Sequence, residues 1–179
     1  MSTALARIPA GPIDPTPDEF RIAMRNLAAG VSVVATGYGK ARAGLTVTSV
    51  SSLSIDPPCL LVCIGRSSGT LAALRANQAF GVSVLAENQQ SIADRFAGRG
   101  GVRGAARFAG SHWITGITGA PLAVGALSAI ECTLEKMVEW HSHAIVVGQV
   151  RSVRLNEAAG PLVYWHGDYR NIEDAEEPA

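Results

Sequence analysis

The sequence predicts a mainly β domain with a few helices, folded as a closed or split antiparallel barrel rather than a parallel sheet. Short apolar runs such as VSVVAT, CLLVCI and FGVSVL follow one another with hairpin-length gaps, and runs of this length and composition are typical of strands. The strict alternation of strand and helix that produces a parallel sheet is missing. Neither GYGKARAG nor GRGGVRG has the glycine offsets of a dinucleotide-binding turn, so a Rossmann site is not predicted.

The first predicted helix begins in the segment TPDEFRIAMRNLAAG. Thr16 is the candidate N-cap, Pro17 suits the first helical position, and Glu19 can complete a capping box by reaching back to the cap. The apolar face at helical spacing consists of Phe20, Ala23, Met24, Leu27 and Ala28. Gly30 is the expected end of this helix. We expect the helix to cover one end of the sheet.

Two shorter helices are predicted near residues 69–76 and 88–96, between the strands. The segment 97–120 is rich in glycine and has little periodicity, so it is predicted to be a functional loop or a lid. The Pro-rich and Ala-rich residues 1–15 predict a flexible arm, and the acidic residues 171–179 predict a solvated tail. The interval 16–170 is then expected to form one domain.

Composition excludes several function classes. The chain has 179 residues, with 15 basic and 15 acidic side chains that cancel. They form no basic stripe, so no nucleic-acid partner is predicted. The apolar runs are too short for a membrane span and no signal pattern begins the chain, so we expect a cytoplasmic protein with reduced cysteines. A hydrophobic fraction of 47% favours an apolar interface between copies of the chain.

An anion site is predicted at CIGRSSGTLAALRA, where a strand ends and a helix begins at about Thr70. Free N–H groups at a helix start attract phosphate, Ser67, Ser68 and Thr70 add hydroxyl groups, and Arg66 adds a charged fork. Helix capping alone explains the same serine and threonine residues, so both interpretations stand at this point.

The strand before it, GLTVTSV, suits a flat ligand with polar edges. Thr46 and Thr48 alternate with Val47 and Ser49, so either face presents a polar side chain beside an apolar one. A heteroaromatic ring such as isoalloxazine needs this mixture. The alternative is a barrel strand whose hydroxyl groups bond neighbouring backbone.

These segments together resemble a known family. GLTVTSVSSLSIDPPCLLVCIGRSSGT, FGVSVLAENQQSIADRFAG, GAPLAVGALSAIECTLE, HAIVVGQV and PLVYWHGDYR are similar, in order and spacing, to the short-chain flavin reductases that supply reduced flavin to two-component monooxygenases. The resemblance covers about residues 20 to 170. It implies a split β-barrel with Greek-key character, a homodimer, binding of FMN or FAD, and oxidation of NADH or NADPH.

The resemblance also implies site residues. The flavin ring and ribityl chain would contact Thr46, Val47, Thr48 and Ser49. The ribityl phosphate would be held by Cys63, Ile64, Gly65, Arg66, Ser67 and Thr70. Val84, Leu85 and Ala86 would flank the ring, and Phe96 would lie near the flavin or its adenylate extension. The family commonly has Asn at the positions of Gly65 and Ser83, so this chain lacks two side-chain amides there.

Nicotinamide contacts are expected at the carboxyl-terminal strands. In HSH, His141 and His143 would project to the same side of a strand if the strand includes both, but two ligands do not make a metal site, and a surface or turn pair is the favoured interpretation. The resemblance instead aligns His143 with a histidine that touches the nicotinamide nucleotide, although the preceding Gly-Asp of the family is absent. Tyr169 and Arg170 could stack on the nucleotide and meet a phosphate.

The expected reaction needs no protein acid or base, because nicotinamide and flavin carry the chemistry and the protein places them. No catalytic residue is therefore predicted, and His143 is expected to position the nicotinamide. Alternatives are a flavin carrier or sensor without a nicotinamide site, a reductase of a corrinoid or ferric complex, and a barrel of the pyridoxal-phosphate oxidase type.

Overall fold

The computed structural model describes residues 14–156 and 159–172. The predicted arm, apart from its last two residues, and the predicted tail from residue 173 lie outside the described residues. The helices are α1 Pro17–Arg25, α2 Gly69–Asn77 and α3 Gln90–Phe96. The strands are β1 Ala29–Gly30, β2 Ser32–Thr36, β3 Ala43–Val47, β4 Val50–Ile55, β5 Pro58–Gly65, β6 Ala79–Val84, β7 Trp113–Thr115, β8 Pro121–Ala123, β9 Ser128–Trp140, β10 His143–Leu155, β11 Leu162–Trp165 and β12 Asp168–Asn171.

Seven of these strands form one antiparallel sheet in the order β3-β2-β6-β9-β10-β5-β4. Its two edges, β3 and β4, are consecutive in the chain and joined by Thr48 and Ser49, so the sheet must curl until its edges lie side by side. β3 accordingly also contacts β5. This is a split barrel, as the sequence predicts. Two smaller sheets, β1-β11-β12 and β7-β8, lie against it.

Two apolar clusters support this arrangement, and β2 belongs to both. Val34 packs in the barrel interior with Phe80, whereas Val33 lies in a second cluster that includes Phe96. Successive side chains of a strand point to opposite faces, and here both faces are buried. Gly148 is required by close packing in the barrel, since a Cβ atom there would lie 2.4 Å from Phe80 Cζ.

The first helix begins as predicted and ends earlier. The Thr16 backbone N–H donates to Glu19 Oε2 at 2.8 Å, and the Glu19 N–H donates to Thr16 Oγ1 at 3.2 Å, which is the capping box. The helix ends at Arg25 because the chain is then drawn into β1, which pairs with β11. The expectation that this helix covers the sheet is wrong for the single chain: Phe20 is 61% exposed and Leu27 is 62% exposed.

The other two helices lie where the sequence predicts them. α2 matches the interval 69–76, and a 3-10 turn at Glu87–Gln89 leads into α3. The Gly-rich segment 97–120 contains two further 3-10 turns and β7. None of the helices in the described part of the chain is long and apolar enough to cross a membrane.

Candidate functional site: two cavities along an edge strand

A cavity of about 350 Å³ lies where the barrel is split, and we refer to it as the central cavity. One wall is formed by residues 45–49 of β3 and its extension. The opposite wall is formed by Cys63, Gly65 and His143, and the outer corner by Ala97, Arg99, Tyr164 and Tyr169. Its volume falls within the range of small-molecule sites.

Strand register explains the wall formed by β5 and β10. Gly65 lies opposite His143, and Cys63 lies opposite Ile145. Residues two apart on a strand share a face, so Cys63 and Gly65 both point away from the barrel interior, while Ile64 between them is fully buried in the core. The predicted contact residues of this strand therefore divide: Cys63 and Gly65 line the cavity, and Ile64 does not.

Hydroxyl groups on the β3 side have two different roles. Thr46 Oγ1 donates to the Ala93 carbonyl at 2.6 Å, and Ser49 Oγ donates to the Cys63 carbonyl at 3.0 Å. These bonds attach the edge strand to α3 and to β5, as the backbone-bonding alternative predicts. Thr48 is exposed at the cavity and makes no hydrogen bond within the described chain, so its hydroxyl group is free for a ligand.

The outer corner contains a charged and aromatic group of residues. Arg99 Nη1 lies 2.8 Å from Asp94 Oδ1, and the Arg99 guanidinium lies over the Tyr169 ring at 5.3 Å. Tyr164 meets Tyr169 edge to face. Burial, together with the nearby Asp94 carboxylate, raises the pKa of Tyr169, so this phenol remains protonated at neutral pH.

The histidines separate on folding. His143 opens β10, lines the central cavity and has Nδ1 2.8 Å from Ser142 Oγ. His141 lies in the β9–β10 turn with a φ of 47°, so the two histidines do not share a strand face, and the interpretation of HSH as a surface or turn pair fits this placement. Arg170 pairs with Asp168 at 3.0 Å and lines neither cavity described here.

A second cavity of about 340 Å³ lies at the start of α2, and we refer to it as the α2 cavity. It is lined by Ala43 and Gly44 of β3, by Ser68, Gly69 and Thr70 of the helix start, and by Arg103, Gly104 and Arg107. Ser68 is the N-cap, and its Oγ accepts from the Thr70 N–H at 3.2 Å. Both cavities therefore adjoin the same strand.

The remaining predicted phosphate residues lie elsewhere. Arg66 donates to the His141 carbonyl at 3.1 Å and pairs with Glu139 at 2.8 Å, and Ser67 lines the same surface depression. Neither borders the α2 cavity. Of the residues predicted for the anion site, Ser68 and Thr70 reach it.

The residues predicted to flank the ring are also mostly internal. Leu85 and Ala86 are fully buried, Val84 is partly buried, and none of the three borders the central cavity. Phe96 is 1% exposed and lies beneath β3, where it packs on Phe108 and Trp113. Its role is to support the strand from below.

Sequence reasoning missed several lining residues, notably Arg99, Arg103, Arg107 and Tyr164. Three of them are arginines of the Gly-rich segment that the sequence marks as a functional loop. The regular spacing of basic residues in this otherwise uncharged segment was the available signal. The family commonly has a side-chain amide at positions 65 and 83, and the two replacements lie in different places. Gly65 lines the central cavity, whereas the Ser83 hydroxyl is bonded inside the protein, where it accepts from the Ala123 N–H at 3.0 Å.

Comparison with known proteins assigns the family. Residues 24–173 match the flavin reductase like domain. The chain is 37% identical over 160 residues to the FMN reductase (NADH) RutF of Pseudomonas syringae pv. syringae, covering 89% of this chain and 88% of the relative. BorF, the flavin reductase component of a bacterial two-component tryptophan halogenase, is similar in structure with a TM-score of 0.82 at 35% identity, over 89% of this chain and 100% of BorF. The NADH:FAD oxidoreductase SgcE6 of Streptomyces globisporus C-1027 matches with a TM-score of 0.82 at 31% identity, over 93% of this chain and 99% of SgcE6. The chain belongs to the flavin reductase family, as its sequence motifs predict.

Proposed function

We propose that this chain is an NAD(P)H-dependent flavin reductase that holds the ring of FMN or FAD in the central cavity and its ribityl phosphate in the α2 cavity. The observation that carries the proposal is that both cavities adjoin β3. Thr48 and Gly44 are separated by roughly 13 Å along an extended strand, which suits a ligand with a flat ring at one end and a phosphate at the other. Of the relatives named above, RutF is an FMN reductase that uses NADH and SgcE6 is an NADH:FAD oxidoreductase.

The residues present fit a flavin at each end. The central cavity combines apolar walls with the free Thr48 hydroxyl group and with backbone groups of β3, which is an edge strand of its sheet. The α2 cavity offers the Gly69 N–H group of the helix start and two guanidinium groups to a phosphate. We retain Thr46, Val47, Thr48, Ser49, Cys63, Gly65 and Thr70 as contact residues.

A bound flavin would supply the hydride-accepting chemistry, with the nicotinamide nucleotide as the hydride donor. The chain contributes orientation: the walls of the central cavity hold a flat ring and limit its access to water. Hydrogen-bond donors along β3 would stabilise negative charge that develops on a ring held in this cavity. His143 and Tyr169, which both line this cavity, position the nicotinamide, while Arg170 remains a prediction because Asp168 already holds its guanidinium group.

Cys63, which lines the central cavity, shares an outer sheet face with exposed apolar side chains, and this supports a homodimer. Ile145 lies opposite both Cys63 and Val138, so their side chains share that face. Ile145 is 37% exposed and Val138 is 39% exposed. We propose that a second copy covers this face, and that Ile145→Glu would convert a dimer to a monomer in light-scattering measurements. A molar mass equal to that of wild type would exclude this face as the dimer interface.

Reduced flavin is proposed to leave for a partner flavin-dependent oxygenase in the cytoplasm. The support is that BorF is the reductase component of a two-component enzyme. Coupling would appear as substrate oxidation when the oxygenase receives flavin from this chain.

The decisive experiment is anaerobic mixing of the purified protein with NADH or NADPH and either FMN or FAD. Catalysed loss of nicotinamide and flavin absorbance together is the expected result. A flavin that binds and stays oxidised with both nucleotides would overturn the proposal in favour of a carrier. His143→Ala should raise the KM for NADH while leaving the flavin Kd unchanged; an unchanged KM would remove the positioning role.

A further inference from the structure

The α2 cavity contains two arginines whose charges no carboxylate in the described chain neutralises. Arg107 Nε donates to the Val102 carbonyl at 3.0 Å, and its Nη1 donates to the Gly44 carbonyl at 2.9 Å and to the Phe96 carbonyl at 3.0 Å. These partners are neutral. Arg103 is exposed and has no ion pair or hydrogen bond within the described residues.

Neighbouring arginines differ in this respect. Arg66 and Arg75 both pair with Glu139, and Arg99 pairs with Asp94. The lining of the α2 cavity contains no acidic residue and no histidine among the described residues. A partly buried guanidinium group beside a second unpaired one leaves a local excess of positive charge.

An independent observation points to a ligand in the same cavity. Thr70 is 4% exposed, borders the cavity, and its hydroxyl group makes no hydrogen bond within the described chain. The Thr70 hydroxyl oxygen is not among the fully enclosed unbonded atoms of the described residues, so it is accessible from the cavity, where it can bond a ligand oxygen. At the helix start, the Thr70 and Leu71 N–H groups are bonded to Ser68. The N–H group of Gly69, which also borders the cavity, has no partner within the described residues.

We infer that Arg103 is a specificity-determining residue that makes the α2 cavity prefer a terminal phosphate monoester, so that the enzyme selects FMN over FAD and over riboflavin. This inference rests on the proposed function. A phosphate monoester carries about −1.5 to −2 charges at pH 7 on three acceptor oxygens. Each phosphate of a pyrophosphate diester carries a single charge and has fewer free oxygens. Two converging guanidinium groups and a helix start therefore favour the monoester.

A pH dependence follows from the ligand itself. The second proton of a phosphate monoester is lost near pH 6, so FMN binding should strengthen as pH rises from about 5 to about 7.5. FAD has no phosphate proton that titrates in this interval. The charged groups that line the cavity are Arg103 and Arg107, which stay protonated throughout. His143 borders the central cavity and not the α2 cavity. That cavity holds the ring that FMN and FAD share, so any contribution of His143 cancels in the ratio of the two affinities.

The test is a fluorescence titration of FMN, FAD and riboflavin against wild type and Arg103→Ala. Arg154→Ala is the matched control, since it removes one exposed positive charge from the far part of β10. In Arg103→Ala the FMN Kd should rise about tenfold, because one charge-assisted hydrogen bond is lost. The FAD Kd should rise by less than about threefold and the riboflavin Kd should not change. The ratio of FMN to FAD affinity should also lose part of its pH dependence.

Three outcomes would overturn the inference. Equal losses for FMN and FAD would mean that Arg103 attracts any anion. An equal loss of riboflavin affinity would show that Arg103 acts on the ring end of the ligand. An unchanged FMN Kd would show that Arg103 contacts no phosphate. The proposed function fails separately: it fails if wild type binds flavin and does not oxidise NADH or NADPH, whatever the three Kd values are.

Discussion

Gly44→Ala tests how closely the edge strand β3 is packed on its support. A Cβ atom at this position would lie 2.6 Å from Phe96 Cε1 and 3.0 Å from the Val34 carbonyl oxygen. Both neighbours resist displacement, since Phe96 is buried among other aromatic rings and Val34 belongs to the fully buried strand β2, which pairs on both sides. Overpacking of this kind costs about 1–3 kcal/mol.

A second effect has the opposite sign. Replacing glycine by alanine raises the free energy of unfolding by about 0.4–1 kcal/mol, because it reduces the conformational entropy of the unfolded chain. The net change is then a loss of about 1–2 kcal/mol. For a chain of this size each kcal/mol lowers Tm by roughly 2–4 °C.

Urea unfolding measures this loss, and Gly30→Ala is the control. Nothing lies within 4 Å of a Cβ atom at Gly30, so this variant should be as stable as wild type or slightly more stable. The double variant Gly44→Ala with Phe96→Leu removes Cε1, and it should be less destabilised than the sum of its single variants by about 1 kcal/mol. If Gly44→Ala is as stable as Gly30→Ala, the tight support of β3 by Phe96 is refuted. Flavin affinity should fall with stability, because β3 borders both cavities.

Three further predictions address individual residues. Alkylation should modify Cys63 and spare the buried Cys59 and Cys132. Burial raises the pKa of Cys132 to about 12, and burial together with Glu135 raises the pKa of Cys59. FMN should protect Cys63 from alkylation, and equal labelling of Cys132 in mass spectrometry would contradict this prediction. Gly65→Ala should change the free energy of unfolding by less than about 0.5 kcal/mol, because a Cβ atom there meets only His143 Nε2 at 3.9 Å. The same variant should raise the KM for NADH, and an unchanged KM would show that the nicotinamide lies elsewhere. Glu131→Gln should cost roughly 1–3 kcal/mol in chemical denaturation, since the buried carboxylate accepts from the Ile117 N–H at 3.1 Å, the Thr118 N–H at 2.9 Å and the Thr118 hydroxyl at 2.8 Å, and stability equal to wild type would contradict that role.

The barrel and the helix starts were predictable because their signals are local. Alternating or continuous apolar runs identify strands, and the capping box of α1 involves residues three apart. The end of α1 was not predictable in this way. It depends on the pairing of Ala29 with Tyr164, and no local pattern in the first segment contains that information.

The candidate site divides in the same manner. The hydroxyl-rich strand and the helix start at Thr70 were identified from short segments, and both border the cavities. Arg66 was assigned to the phosphate because it precedes that helix in sequence, but Glu139 of the distant strand β9 pairs with it. Which arginine remains uncompensated depends on where every carboxylate lies, and that is a property of the whole fold.

The coupling between the two cavities follows from how β3 is held. An edge strand lacks a neighbour on one side, and α3 with the segment after it takes that role here. Thr46 donates to the Ala93 carbonyl of α3, and Arg107 joins the Gly44 carbonyl of β3 to the Phe96 carbonyl at the end of α3. Because Arg107 also borders the α2 cavity, an anion bound there acts on the group that fixes the strand. Binding at the phosphate end should therefore stiffen residues 45–49 at the ring end, and amide exchange in that segment should slow with FMN more than with riboflavin.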